Sequence, residues 1–162
     1  MIILVMGVAG AGKTTVGKAL GEKLGCEFVD GDTLHSPANI AKMRAGIPLT
    51  DGDRWPWLNA VARSIDGYIL SGLCAVVACS ALKQKYRNVL ARPEVRLVYL
   101  KIDAELAAER ASTRHHEFMP AALVDSQFAE LEEPRDALVV SAALPLKQIL
   151  AQITNELKFS AP

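Results

Sequence analysis

Short unbroken apolar runs alternate along the chain with longer stretches in which apolar residues recur at helical spacing. The runs 2–6 (IILVM), 27–30 (EFVD), 74–79 (CAVVAC), 95–100 (VRLVYL) and 137–140 (ALVV) read as strands. Strands without polar alternation suit a sheet covered on both faces, since neither face meets water. Between them the period changes to that of a helix. One helix is expected from Lys13 to Leu24, with Gly25 suited to the stop, and a second opens at Ser36-Pro37, a cap residue followed by proline at the first helical position. A third is predicted from about Trp55 to Leu70, where Trp55, Leu58, Ala62, Ile65 and Ile69 form one buried stripe, and Trp57 beside it is also read as core. Further helices are expected near 81–91, 103–113, 121–132 and 145–158, the last burying Leu146, Ile149, Ile153 and Leu157. Strand and helix in alternation predict a single α/β domain on a five-stranded parallel sheet. The segments 46–54 and 112–120 are the longest irregular candidates, and irregular segments on a rigid sheet are where binding residues concentrate.

Composition narrows the possibilities mainly by exclusion. At 162 residues, 51% hydrophobic and 22% charged, the chain is of ordinary globular make-up and long enough to bury a full core. Lys plus Arg equals Asp plus Glu at 18 each, so there is no basic excess of the kind a nucleic-acid binder shows. Any anionic ligand must be met by locally placed cations. The three cysteines, Cys26, Cys74 and Cys79, form no CxxC pair and are odd in number, which argues against a disulfide framework and for a reducing cytosol. The leading MIILVMG lacks a basic flank and is broken by glycine, and LCAVVACSAL is too short to cross a bilayer, so no membrane role is expected.

One motif changes the picture. Gly7-Val8-Ala9-Gly10-Ala11-Gly12-Lys13-Thr14 matches G-x-x-x-x-G-K-[ST] throughout and sits between a predicted strand and a predicted helix. Its glycines let backbone N–H groups approach a phosphate, and the helix that follows points its positive end at the same anion. Gly7, Gly10, Ala11, Gly12, Lys13, Thr14 and Thr15 are therefore the candidate nucleotide cradle, with Lys13 on the β- and γ-phosphates and the Thr14 hydroxyl on Mg²⁺.

Such a loop does not specify an acceptor. The [NT]-K-x-D signature of a guanine-specific switch is missing, and the apolar run 74–79 ends in Cys79-Ser80 rather than in the acid of a motor ATPase. The short run ending in Asp30-Gly31-Asp32 does supply carboxylates. This arrangement suits a small-molecule kinase in which Asp30 organises Mg²⁺, through water, and Asp32 meets the acceptor hydroxyl.

With these residues in place the chain resembles the P-loop gluconate kinases, relatives of the shikimate and adenylate kinases. The resemblance runs over about 2–157 and rests on GVAGAGKTT, FVDGDTLHSPANIAKMRAGIPLTDGDRWPWL, CSALKQKYRNVL, VYLK and FMPAALVDSQFAELEEP. It implies a nucleoside-monophosphate-kinase-like fold with a short lid near 112–120, and MgATP-dependent phosphorylation of D-gluconate at its 6-hydroxyl by direct in-line transfer. It also implies that Asp32 orients that hydroxyl and takes its proton, while Arg54, Lys83 and Arg87 hold the substrate, the last two sharing a helix face at i, i+4 spacing. His35 either bonds the polyol or finishes the turn, and Gln127 either touches substrate or lid or lies on a helix surface. Arg110 and Arg114 mark where a lid begins in related kinases: one stacks on adenine and the other, Arg114, stabilises the transferring phosphoryl group.

The chain departs from the family at the lid, where R-x-G-H-F is expected and Arg114-His115-His116-Glu117-Phe118 stands. Either His116 takes the histidine's place or that contact is lost. A cytoplasmic enzyme follows from this resemblance, and a homodimer is compatible with it. The competing readings are another small-metabolite kinase, of shikimate or sugar-acid type, and an ATP-binding regulator without an acceptor.

Overall fold

A computed structural model of the chain describes residues 1–113 and 122–158. Five strands, β1 (Ile2–Met6), β2 (Glu27–Asp30), β3 (Ala75–Ala78), β4 (Val95–Lys101) and β5 (Leu138–Ser141), form one parallel sheet in the order β2-β3-β1-β4-β5. The helices are α1 (Lys13–Leu24), α2 (Pro37–Arg44), α3 (Asp51–Leu70), α4 (Gln84–Leu90), α5 (Ala104–Thr113), α6 (Ala122–Glu130) and α7 (Leu146–Glu156).

The period of two along β1 divides the core. Ile3 and Val5 face one layer with Val16, Leu20, Ala107, Ile149 and Ile153 of α1, α5 and α7. Ile2, Leu4 and Met6 face the other with Trp57, Leu58, Val61 and Ile65 of α3 and with Tyr86 and Leu90 of α4. The central strand is completely buried because both of its faces are covered, as its unbroken apolar run requires.

Helix α3 starts four residues before the expected Trp55, and the reason is a cap. The Thr50 hydroxyl accepts the Asp53 N–H at 3.1 Å, and Asp53 Oδ2 accepts the Thr50 N–H at 2.9 Å. This capping box converts the second half of the segment 46–54, expected to be irregular, into a first helical turn. The buried stripe also differs from the expected one: Trp57, Leu58, Val61, Ala62 and Ile65 are inside, whereas Trp55 is 37% exposed. Trp55 is thus a surface residue, packed edge-on against Tyr86 at 5.7 Å, and not the head of the core stripe. Leu146, expected inside, is likewise 37% exposed at the start of α7, while Ile149 and Ile153 are buried as expected.

The cysteine reading also needs correction. Cys26 and Cys74 are joined as a disulfide with Cα atoms 4.9 Å apart, linking the residues just before β2 and β3, while Cys79 is free and buried. Adjacent parallel strands bring the two together from 48 positions apart, which no count of cysteines could show. No helix among the described residues is long and apolar enough to cross a membrane. Peptide mapping of unreduced protein should recover a linked Cys26–Cys74 pair, with Cys79 alkylated only after unfolding. Breaking the link should lower stability by about 2–4 kcal/mol, the usual range for a native cross-link, and recovery of both cysteines as thiols would refute it.

Candidate active site

The site lies where β1, β2 and β3 end, at the carboxyl edge of the sheet. The loop after β1 is pinned before any ligand arrives. Gly10 sits at φ +84°, and a Cβ there would stand 2.7 Å from the Ala107 carbonyl oxygen, so only glycine lets the loop lie this close to α5. Gly7, the buried Ala11 and Gly12 complete the turn, and Gly12 immediately precedes α1. Lys13 Nζ donates to the Val8 carbonyl at 3.1 Å. Burial pushes the Lys13 ammonium below its ordinary value, opposed chiefly by the nearby charge of Asp32. Arg110 Nη1 reaches the Gly10 carbonyl at 3.5 Å from the far side, and Thr15 is exposed on the first turn of α1.

The Asp30-Gly31-Asp32 turn meets this loop directly. Asp30 Oδ2 accepts the Thr14 hydroxyl at 3.3 Å, and its Oδ1 accepts the Asp32 N–H at 3.1 Å. Gly31 is required by packing: a Cβ would stand 2.5 Å from the Ala78 carbonyl oxygen. The Trp57 indole N–H donates to the Gly31 carbonyl at 2.8 Å, and its ring stacks on His35 with centroids 4.1 Å apart. His35 Nδ1 lies 3.2 Å from the Asn39 side-chain nitrogen, whose amide also donates to the Asp53 carbonyl at 2.8 Å. An amide nitrogen is a donor, so Nδ1 accepts and Nε2 carries the ring proton. Burial, and secondarily the Arg54 charge, lower the His35 pKa to about 4. His35 therefore presents a neutral N–H donor.

Lys13, Thr14, Asp30, Asp32, His35, Arg54 and Gln127 all line one cavity of about 360 Å³, large enough for a six-carbon acceptor beside a phosphate tail. Gln127 lies inside, not on the helix surface: it is 8% exposed, and its Oε1 accepts the Ala9 N–H at 2.7 Å, joining α6 to the phosphate loop. Arg54 is oriented by the Tyr86 hydroxyl at 3.0 Å and by Glu130 of α6. Its hydrogen bonds to Glu130 and Tyr86 hold its pKa above the ordinary value, although burial, the largest single effect, acts the other way.

Two expected substrate cations lie elsewhere. Lys83 precedes α4 and pairs with Asp51 at 3.3 Å, outside the lining of the cavity. Arg87 does not share its face. It is 5% exposed, with Nη1 donating to the Ala81 and Leu82 carbonyls, both at 2.9 Å, and with Nη2 donating to Gln84. It thereby holds a turn in which Ala81 adopts a left-handed φ of +44°. Lys42 pairs with Asp53 of the capping box at 2.8 Å. Arg114 and the lid residues His115, His116, Glu117 and Phe118 lie outside the described residues.

Trp57, Asn39 and Tyr86 organise the site without having been singled out for it. A tryptophan so near a D-G-D turn was a signal available in the sequence, but Trp55 and Trp57 cannot be told apart until the helix start is known.

The fold and the pinned phosphate loop define a P-loop small-molecule kinase, and comparison with known proteins agrees. The shikimate kinase family matches residues 9–148. A gluconokinase of Gluconobacter oxydans is 45% identical over 136 residues, covering 83% of this chain and 76% of its own length. The thermoresistant gluconokinase of Escherichia coli is 36% identical, covering 97% and 93%. Among solved structures, a sugar kinase from Janibacter superposes with a TM-score of 0.91 at 41% identity, covering 99% and 95%. A gluconokinase from Sinorhizobium meliloti superposes at 0.81 with 42% identity, covering 97% and 95%. The chain belongs to the gluconokinase family of P-loop kinases, a branch of the shikimate-kinase-like fold.

The His35 environment generates a pH prediction. The unfolded chain takes up the imidazole proton near pH 6.5 and the folded chain only near 4. The contribution of neutral His35 to stability is thus fully present above about pH 6.5 and is lost as pH falls through about 4. Urea midpoints measured from pH 7 to pH 4 should fall further for the native protein than for His35→Gln. Parallel decline of the two would show that His35 titrates normally.

Proposed function

We propose that this protein transfers the γ-phosphoryl group of ATP to the 6-hydroxyl of D-gluconate, giving 6-phospho-D-gluconate and ADP. The observation that carries this reading is the meeting, in one cavity, of the phosphate loop, the Asp32 carboxylate and the Arg54 guanidinium. The relatives named gluconokinase supply the acceptor's identity.

The 6-hydroxyl is placed at the Asp32 carboxylate and the γ-phosphorus beside Lys13. As the hydroxyl oxygen forms its bond to phosphorus, Asp32 takes the proton, the bond to the β–γ bridging oxygen breaks, and ADP leaves with that oxygen. Lys13 neutralises the charge that accumulates on the phosphoryl oxygens. His35 Nε2–H and the Gln127 side chain offer hydrogen bonds to the polyol, and Arg54 takes the carboxylate at the opposite end.

Mg²⁺ fits the donor set. The Thr14 hydroxyl and an Asp30 oxygen already lie 3.3 Å apart at the mouth of the phosphate loop. No group of three or more ligating residues is assembled among the described residues. An ion held by few protein ligands, with phosphate oxygens and water completing its shell, is the usual binding mode for magnesium in kinases. When bound with ATP it would withdraw charge from the β- and γ-phosphates. Arg110, at the phosphate loop, is placed to meet the nucleotide. Lys83 and Arg87 act behind the cavity, the first on Asp51 and the second on the Ala81–Leu82 turn.

ADP release with MgATP should depend on D-gluconate and not appear with shikimate or D-glucose. Asp32→Asn should lower kcat by roughly 10²- to 10⁴-fold, the usual worth of a general base, with ATP affinity kept. Equal turnover on shikimate would move the protein to the shikimate type. Nucleotide binding with no acceptor-dependent turnover would favour a regulator.

A further inference from the structure

Arg54 is the only guanidinium lining the catalytic cavity among the described residues, and its fork is already occupied. Nη1 donates to Glu130 Oε1 at 3.1 Å, and Nη2 stands 2.8 Å from Glu130 Oε2. The second contact is off the hydrogen-bond axis, so Oε2 is buried without a hydrogen bond. Side-chain exposure is 12% for Arg54 and 23% for Glu130, so the pair is largely removed from water. A largely desolvated ion pair with one poorly aligned contact gains little over the cost of removing both charges from water. A second carboxylate with better alignment could therefore replace it.

We propose that Glu130 is a specificity-determining residue: an internal carboxylate that occupies the Arg54 fork and is exchanged for the carboxylate of the acceptor. This rests on the reading above, in which Arg54 receives that carboxylate. In the acceptor-free protein Glu130 prevents Arg54 from being buried with its charge uncompensated. On binding, the acceptor must compete with it, so Glu130 sets the affinity for sugar acids without touching the reacting end. Lys83, 4.0 Å from Glu130 and 3.3 Å from Asp51, stands ready to take the released charge, so Glu130 need not be left without a counter-ion. Neutral polyols bring no charge to the exchange.

The same helix face reaches the nucleotide. Gln127 and Glu130 are one turn apart on α6, the first on the Ala9 N–H and the second on Arg54. Exchange at Arg54 thus releases one polar tie of α6 and leaves Gln127 on the phosphate loop.

The test is Glu130→Gln in the full chain. The amide keeps the shape and an acceptor for Arg54 Nη1 but gives up the competing charge. KM for D-gluconate should fall about three- to tenfold, the scale of one partly buried ion pair, with kcat and KM for ATP within about twofold. Inhibition by D-glucitol, the same chain without a carboxylate, should move less than twofold, a contrast that a merely structural role of Glu130 would not produce. The gain should vanish in an Arg54→Ala background. An unchanged or raised KM for gluconate, alongside a large rise in Arg54→Ala alone, would overturn the exchange and make Glu130 a brace. A parallel gain for D-glucitol would overturn it as well. If Arg54→Ala leaves the gluconate KM untouched, the carboxylate binds elsewhere and the underlying reading of Arg54 fails first.

Discussion

The Asp30 carboxylate joins the two halves of the site, one oxygen to each. Through Oδ2 it holds the Thr14 hydroxyl at the start of α1, and through Oδ1 it holds the backbone N–H that orients Asp32. The phosphate loop and the acceptor turn come from adjacent crossovers of the sheet, and this carboxylate sets their spacing. Everything around it keeps that spacing rigid. Gly31 allows the turn to lie against β3, the Trp57 indole fastens it from α3, and the Thr50–Asp53 capping box fixes where α3 begins and so where Trp57 points.

Electrostatics in this chain are local. With formal charges summing to zero, its binding power comes from a few cations whose partners are chosen individually. Desolvation lowers the Lys13 pKa, and the nearby carboxylates, Asp32 first, oppose that shift. Arg54 is held by Glu130 and Tyr86. Asp51, which links Lys83, Lys85 and Tyr86, has its carboxyl held well below the usual range, first by Lys85 and then by Tyr86. Arg54, Lys83 and Lys85 are each pre-organised by an acid from a different element. Binding an anion there is an exchange of partners rather than the capture of a bare charge.

Arg87 and the Cys26–Cys74 link stabilise the frame at its edges. Arg87 directs its two terminal nitrogens at carbonyls and at Gln84, holding the strained Ala81 turn whose neighbours Ser80 and Leu82 line the cavity. The disulfide ties the outer strand β2 to β3 at the edge of the sheet away from the phosphate loop. Neither touches the reacting groups, yet both limit how far the acceptor side can drift from the nucleotide side.

What the sequence determined by itself is what short-range physics controls. Strand positions followed from uninterrupted apolar runs, and the phosphate loop from a glycine spacing that only a strand–loop–helix turn can use. Asp30 and Asp32 were legible because they end a strand immediately beside that loop. The tertiary structure decided what depends on direction and on distant partners. It placed Trp57 rather than Trp55 inside, because the face of α3 that packs on the sheet with Leu58, Val61 and Ile65 carries Trp57. It turned Arg87 onto the carbonyls of the Ala81–Leu82 turn, while Lys83 pairs with Asp51. It set Glu130 opposite Arg54, a pairing across 76 positions that no local pattern in AELEEP announces. Side chains at fixed sequence spacing share a face only once the element's ends are known, and the charge a buried cation meets is chosen by packing, which the order of residues does not display.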